Sequence, residues 1–297
     1  MSARTLAGLL VPVITPFDLE TGEVAPVPLR DHARRMLAAG AAGIVAGGST
    51  GEMALLDEAE FTRVLEWLRG VVPEDRWLVA GVGRESTRAT IAACRAAQAA
   101  GADLALVRPP AYYGPSLDVA GLVDHFRQVA DASPIPLLLY NIPKYTHVML
   151  HDAVLTQLAA HGNVRGAKDS SGDLKNFADW RAAVPAWALF IGSGSLALPA
   201  LELGGAGGVL GIANVVPELV MELFSRWRAG DREGASAIQA RLAPLNTLVV
   251  AQLGVPGVKA AIELAGGYAS PLRSPLRALS PGLRQQIVDA LTASTQP

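Results

Sequence analysis

Eight short, continuous apolar runs punctuate the chain, at 9–15, 43–48, 77–83, 103–109, 135–141, 164–169, 188–192 and 208–214. Each is short enough to be a strand and none alternates apolar with polar residues. A strand with one solvated face alternates; a strand buried on both faces does not, and such strands belong to parallel sheets covered by helices. This pattern constrains the fold more than any other feature of the chain.

Helical patterns fill the intervals, at 56–72, 86–100, 117–132, 150–161, 173–184, 195–203 and 217–229. In the first, Phe61, Val64, Leu65 and Leu68 fall on one helical face. Asp57 and Glu58 stand in its opening turn, where the positive helix end favours carboxylates. Ser86 is placed to cap the next helix, which stops before Gly101. Eight strands, each followed by a helix and spaced roughly 20–35 residues apart, match the length of a βα unit. They predict an α/β fold of the closed (β/α)8 TIM-barrel type rather than an open doubly wound sheet. No Gly-x-Gly-x-x-Gly follows the first run, which disfavours a dinucleotide-binding domain. Beyond residue 230 the apolar runs stop, and 232–252, 256–265 and 281–292 predict helices. The expected division is a catalytic barrel over 1–230 and a C-terminal helical extension over 231–297, packed on the barrel or on another subunit.

Composition removes several function classes. Apolar residues make up 51% and charged residues 18% of the 297, with a net charge of −2, so a large core is available and disorder is excluded. Without a basic excess to neutralise phosphates, no nucleic-acid partner is expected. No apolar run reaches 18 residues, and the first residues lack a signal-peptide cleavage pattern, so the expectation is a cytoplasmic protein with no membrane partner. The single cysteine, Cys94, excludes an intrachain disulfide and a cysteine-based zinc site. His147 and His151 are four apart but lack a nearby carboxylate as third ligand, so no metal is expected. Of 25 basic residues only four are lysines: Lys144, Lys168, Lys175 and Lys259.

In such barrels the site lies at the C-terminal ends of the strands. The second run ends in Gly47-Gly48-Ser49-Thr50-Gly51-Glu52, whose hydroxyls and turn amides suit a small carboxylate or phosphate, or else form a tight turn capping the next helix. The fifth ends in Tyr140-Asn141-Ile142-Pro143, with Tyr140 either a proton donor and acceptor or a core tyrosine. The sixth ends in Gly166-Ala167-Lys168-Asp169-Ser170-Ser171-Gly172-Asp173. A lysine inside a buried parallel strand is costly when charged and unpaired. Its free amine is a nucleophile for a ketone, and the resulting protonated imine is an electron sink. The alternative is a strand-end lysine reaching out to water. Arg108, Tyr112 and Tyr113 follow the fourth run, and Gly192-Ser193-Gly194 follows the seventh. Arg108 either faces the pocket and holds a distal carboxylate or turns outward in a surface ion pair.

Gly48-Ser49-Thr50-Gly51-Glu52, Tyr112-Tyr113, Tyr140-Asn141-Ile142-Pro143 and Lys168-Asp169-Ser170-Ser171-Gly172-Asp173 together resemble the dihydrodipicolinate synthase / N-acetylneuraminate lyase family, in order and spacing, over nearly the whole chain. The resemblance implies a lyase of the class I aldolase type that needs no cofactor and holds pyruvate or another 2-oxo acid as a Schiff base on Lys168. It implies Tyr140 as the proton shuttle, and Ser49 and Thr50 as holders of the carboxylate, with Gly51, Ser170 and Gly192 alongside. It implies Tyr113 reaching a neighbouring subunit's site through Thr50 to Tyr140, within a homotetramer. Lysine-forming members place an arginine where Tyr145 stands, which argues against dihydrodipicolinate synthesis unless Lys144 or Arg108 substitutes. Residues 85–90, 130–136 and 254–259 resemble 4-hydroxy-2-oxoglutarate aldolases, although those often carry asparagine in place of Thr50. The expected reaction is cleavage or condensation at C3–C4 of a 4-hydroxy-2-oxoglutarate or a 2-keto-3-deoxy sugar acid. The alternatives are dihydrodipicolinate synthesis and a 2-keto-3-deoxy acid dehydratase or deaminase using the same Schiff base, with a non-catalytic 2-oxo-acid-binding barrel a remote one.

Overall fold

All eight apolar runs become strands. In chain order the elements are β1 (Gly8–Pro12), α1 (Pro26–Ala38), β2 (Gly43–Ala46), α2 (Glu58–Arg69), β3 (Trp77–Gly81), α3 (Thr87–Ala99), β4 (Leu104–Val107), α4 (Val119–Ala132), β5 (Leu137–Asn141), a short α5 (Pro143–Thr146), α6 (Asp152–Leu158), β6 (Val164–Asp169), α7 (Leu174–Ala183), β7 (Ala188–Ile191), α8 (Ala197–Glu202), β8 (Gly207–Val209) and α9 (Pro217–Arg228). The computed structural model describes residues 4–295. Every neighbouring strand pair is parallel, and β8 returns to β1, so the sheet closes into an (β/α)8 barrel without edges.

Side chains alternate across each strand, and the barrel sorts them by parity. Leu10, Val45, Val79, Leu104, Leu106, Leu138, Tyr140, Phe190 and Val209 fill the interior. Leu9, Val11, Ile44, Leu78, Ala105, Leu137, Leu139, Ala167 and Leu189 point outward and pack under the helices. Burying each large aliphatic side chain contributes about 1.5–3 kcal/mol, so two layers of such residues hold the strands where they are. Helix starts are fixed by side-chain caps. Asp57 and Glu60 form a reciprocal capping box at α2, and Ser86 and Asp118 cap α3 and α4, each worth about 1 kcal/mol.

Two elements differ from expectation. The run 208–214 is strand only through Val209, and Gly211–Asn214 winds into a 3-10 turn. The cause is Asn214, which is buried: its amide donates to the carbonyls of Pro12 and Gly211, and its Oδ1 accepts from Ile14 N. The expected helix 232–252 is α10 (Arg232–Asn246), followed by a π-helical segment, Thr247–Gln252, and then α11 (Gly254–Leu264) and α12 (Pro281–Thr295). Pro244 inside α10 removes a backbone donor, and the widened turn that follows accommodates the loss. This segment leans over the C-terminal ends of the strands, where Val250 and Ala251 line a cavity.

The tail is fastened by buried charge. Arg273 binds both carboxylate oxygens of Glu60 at 2.7 Å and donates to the carbonyls of Leu55 and Gly22. Its guanidinium also stacks 4.2 Å from the ring centre of Phe17. Lys259 on α11 pairs with Glu52.

One buried group makes the fold acid-sensitive. His125 on α4 bonds Thr87 through Nδ1 at 2.9 Å, and its Nε2 meets no partner among the described residues. Burial, and secondarily the Arg108 charge, lower its pKa to about 4. In the unfolded chain histidine titrates near 6.5, so the folded form resists a proton that the unfolded form accepts. That contribution is whole above about pH 6.5 and is lost as the pH falls toward 4, by at most about 3 kcal/mol. Thermal unfolding at pH 7.5, 6 and 5 should therefore show a smaller acid loss in His125→Gln than in the parent. Parallel profiles would assign the acid sensitivity elsewhere.

Candidate active site

Strand parity brings the chemistry together. β5 and β6 pair Tyr140 with Lys168 and Asn141 with Asp169. Tyr140 and Lys168 face the barrel interior at its C-terminal end, and Asn141 and Asp169 face the helix layer. Lys168 is 4% exposed, and its Nζ stands 4.0 Å from the centre of the Tyr140 ring. Among the described residues no carboxylate pairs with it. Lys259 is as deeply buried, at 3%, but it is matched by the Glu52 carboxylate. Of the two buried lysines among the described residues, only Lys168 is left without a carboxylate, its amine lying over the Tyr140 ring.

Asp169 locks the register beneath this pair. Its carboxylate is fully buried and accepts from Asn141 Nδ2 at 2.8 Å, Ser171 N and Ser171 Oγ at 2.9 Å, and Asn176 Nδ2 at 3.1 Å. Asn141 Oδ1 in turn accepts from Leu150 N. Four donors replace the water that this carboxylate gives up.

Opposite Lys168 lies the β2 turn. Gly47 has φ +63, and a Cβ there would collide with the Phe61 ring, so only glycine lets the turn begin. Gly51 N donates to Gly48 O and Glu52 N to Ser49 O, and Thr15 Oγ1 donates to Gly51 O. Among the described residues the amides of Ser49 and Thr50 meet no acceptor. Ser49 Oγ lies 3.5 Å from the Tyr140 hydroxyl. Expectation had Thr50 contacting Tyr140; within one chain Ser49 is the contact, and the Thr50 hydroxyl points instead toward Gly211.

A cavity of about 240 Å³ joins these parts, lined by Ser49, Thr50, Tyr140, Tyr145, Lys168, Ser170 and Gly192, with Val250 and Val258 from the tail. A Cβ at Gly192 would collide with Ser170 Oγ, so this wall too requires glycine. A second, larger cavity of about 750 Å³ shares Ser49, Tyr140, Lys144 and Tyr145 and extends to Arg84, Glu85 and Arg108. Arg108 both lines this space and is engaged in it. It binds Glu85 at 2.8 Å and the Pro109 carbonyl, so its guanidinium is held in an ion pair at the cavity wall. Burial would raise the Glu85 carboxyl, but the Tyr112 and Ala111 amides and Arg108 outweigh it and hold it below the usual range. Arg84 is likewise bound by Glu58. Burial, with Tyr140 nearby, raises the Tyr145 phenol, which keeps it a hydrogen-bond donor.

Two expected site residues lie outside both cavities. Gly51 sits behind the turn, committed to Thr15 and Gly48. Tyr113 is 69% exposed, edge to face with Tyr112. Sequence reasoning missed Lys259 and the tail residues Val250 and Val258. The apolar character of GVPGVKAAIEL around Lys259 was the available signal for a buried amine.

A closed barrel with a buried, uncommitted lysine beside a tyrosine at the C-terminal mouth defines a lyase of the class I aldolase type. The chain belongs to the Dihydrodipicolinate synthetase family, whose sequence profile matches residues 5–294. The 4-hydroxy-tetrahydrodipicolinate synthase of Methanopyrus kandleri is 35% identical over 92% of this chain and 91% of its own. The Emericella nidulans protein named "Probable 4-hydroxy-2-oxoglutarate aldolase, mitochondrial" is 35% identical over 100% of this chain and 97% of its own. Among solved structures, YagE of E. coli K12, a prophage protein of the dihydrodipicolinic acid synthase family in complex with pyruvate, superposes with a TM-score of 0.92, with 27% identity over 97% of this chain and 98% of its own. No helix among the described residues is long and apolar enough to cross a membrane.

The Asp169 network yields a stability test. Asp169→Ala strands the donors of Asn141, Ser171 and Asn176, which should cost about 3 kcal/mol or more and lower Tm by roughly 6 °C. A loss under 1 kcal/mol in a chemical denaturation series would show that the network is dispensable.

Proposed function

We propose that the protein is a cofactor-independent aldolase acting on a 2-oxo acid through a Schiff base on Lys168. The observation that carries this reading is the uncommitted, buried Lys168 amine facing the unengaged Ser49 and Thr50 amides across one small cavity. In the proposed reaction the substrate carboxylate takes the two amides and the Ser49 and Thr50 hydroxyls. Lys168 Nζ attacks the C2 ketone, water leaves the carbinolamine, and a protonated imine remains. Tyr140 supplies and removes these protons and then accepts the proton of the C4 hydroxyl. The C3–C4 electron pair flows into the imine, an aldehyde departs, and an enamine remains. Protonation at C3 and hydrolysis release pyruvate and restore the amine. The fixed amides orient the reactant and the imine stabilises the developing carbanion.

The distal end supports a hydroxylated substrate. Arg84 and Arg108 are each satisfied by a carboxylate, so a second substrate carboxylate would have to displace Glu58 or Glu85, or rely on Lys144, whose Nζ donates to Ala251 O. Tyr145 is a neutral donor where lysine-forming members carry arginine. We therefore favour a 2-keto-3-deoxy sugar acid over a dicarboxylate. The full-length match to the 4-hydroxy-2-oxoglutarate aldolase keeps that dicarboxylate as the second reading. The proposed active unit is a homotetramer in which Tyr113 of one chain reaches the site of another, in the cytoplasm.

Borohydride reduction with pyruvate, followed by peptide mass mapping, should find the adduct on Lys168 and none in Lys168→Met. Tyr140→Phe should lower turnover roughly 10²-fold or more while still permitting slow adduct formation. An adduct on another lysine, or none, would refute the mechanism. A panel of 2-keto-3-deoxy sugar acids, 4-hydroxy-2-oxoglutarate and pyruvate plus aldehydes, with product identification, should show the highest kcat/KM for a sugar acid cleaved at C3–C4. A higher value for the dicarboxylate would install the second reading, and loss of water or ammonia without C–C cleavage would make the enzyme a dehydratase or deaminase.

A further inference from the structure

Glu52 closes the β2 turn in an unusual state. Its φ is +56, in the left-handed region that a side chain other than glycine's rarely adopts, and it is 4% exposed. Such a conformation persists only where the surroundings over-determine it. What holds it comes from the far end of the chain. Lys259 on α11 pairs with its carboxylate, and Arg273 N donates to Oε2 at 3.2 Å. Lys259 also donates to Pro271 O at 2.8 Å and stands 4.3 Å from the centre of the Phe17 ring. Burial lowers the Lys259 amine below the ordinary lysine value, against the pull of Glu52. Neither partner faces Lys168. Each, however, adjoins a wall of its cavity: Glu52 follows the Ser49–Thr50 turn, and Lys259 follows Val258.

We infer that Glu52 and Lys259 are positioning residues, whose buried ion pair sets the Ser49–Thr50 amides against the tail wall and so determines how tightly the 2-oxo acid carboxylate is held. A buried charge left without its partner is strongly unfavourable, so the pair behaves as a fixed strut between turn and tail. With the strut gone, the left-handed Glu52 backbone relaxes and the two amides ahead of it turn away from the cavity. The lysine chemistry itself is untouched. This inference rests on the reading of the Ser49 and Thr50 amides as the carboxylate holders.

The Arg273–Glu60 pair supplies the control. It fastens the same tail to α2 through a side chain that does not adjoin the amides. The experiment measures, in the full chain, the pyruvate concentration giving half-maximal borohydride-trapped adduct, together with Tm. Lys259→Met and Glu52→Gln should each raise that concentration tenfold or more, with the trapped fraction at saturation unchanged and still on Lys168. Lys259→Arg should return it to within threefold of the parent. Glu60→Gln should lower Tm and leave it unmoved. If Lys259→Met does not fold, Glu52→Gln and the Glu52→Gln/Lys259→Met double variant carry the test. A folded variant of the pair with the parent's half-saturation, or an equal rise in Glu60→Gln, overturns the inference, and so does failure of all three pair variants to fold. Absence of any adduct in the parent protein would instead overturn the underlying carboxylate-and-Schiff-base reading.

Discussion

The structure turns on one uncommitted, buried amine at the end of a barrel strand. A lysine at the end of a parallel strand is held by the strand's register, and here β5 and β6 set Tyr140 beside Lys168. The register is specified twice: by apolar side chains filling both faces of the sheet, and by the Asp169 carboxylate collecting four donors on the outer face. A slip of one residue would exchange the two faces and bury Asp169 among aliphatics in the barrel interior. The same alternation that makes the barrel stable therefore aims the amine.

The barrel alone does not complete the site. The turn after β2 supplies unengaged amides, and the wall facing them comes from residues 246–258 of the tail. Pro244 and the π-helical segment bend the tail across the barrel mouth, and Lys144 Nζ donates to Ala251 O to tie it to the β5 side. Charge pairing makes this assembly selective about its amines. Lys259, Arg273, Arg84 and Arg108 are all matched by carboxylates, and Lys168 is not. That difference is what the proposed chemistry uses.

Most of the fold was legible because parallel strands buried on both faces read as unbroken apolar runs, and all eight appear where they do. Of the two boundaries that differ, one is set by a tertiary contact and the other by a proline within the segment. Asn214 stops β8 by binding backbone groups of β1 and its own turn, which periodicity does not register. Pro244 divides the expected tail helix, a local signal present in the chain. Lys168, Tyr140, Ser49 and Thr50, which the sequence put forward as candidates, line one cavity because each ends a strand or opens the turn after it. Glu52 and Lys259 were not among them, since their significance arises from a pairing across two hundred residues. Tyr113 is exposed and lines neither cavity of the single chain.

The relatives include one named 4-hydroxy-tetrahydrodipicolinate synthase and one named as a probable 4-hydroxy-2-oxoglutarate aldolase, so family membership leaves the substrate open. The account's central claim concerns an amine on one wall and a carboxylate-binding turn on the other. A crystal structure of the protein soaked with pyruvate tests it most directly. Continuous density from Lys168 Nζ to C2, with the pyruvate carboxylate on the Ser49 and Thr50 amides, is the predicted result. Pyruvate bound away from Lys168, or joined to it with its carboxylate turned from that turn, would contradict the account.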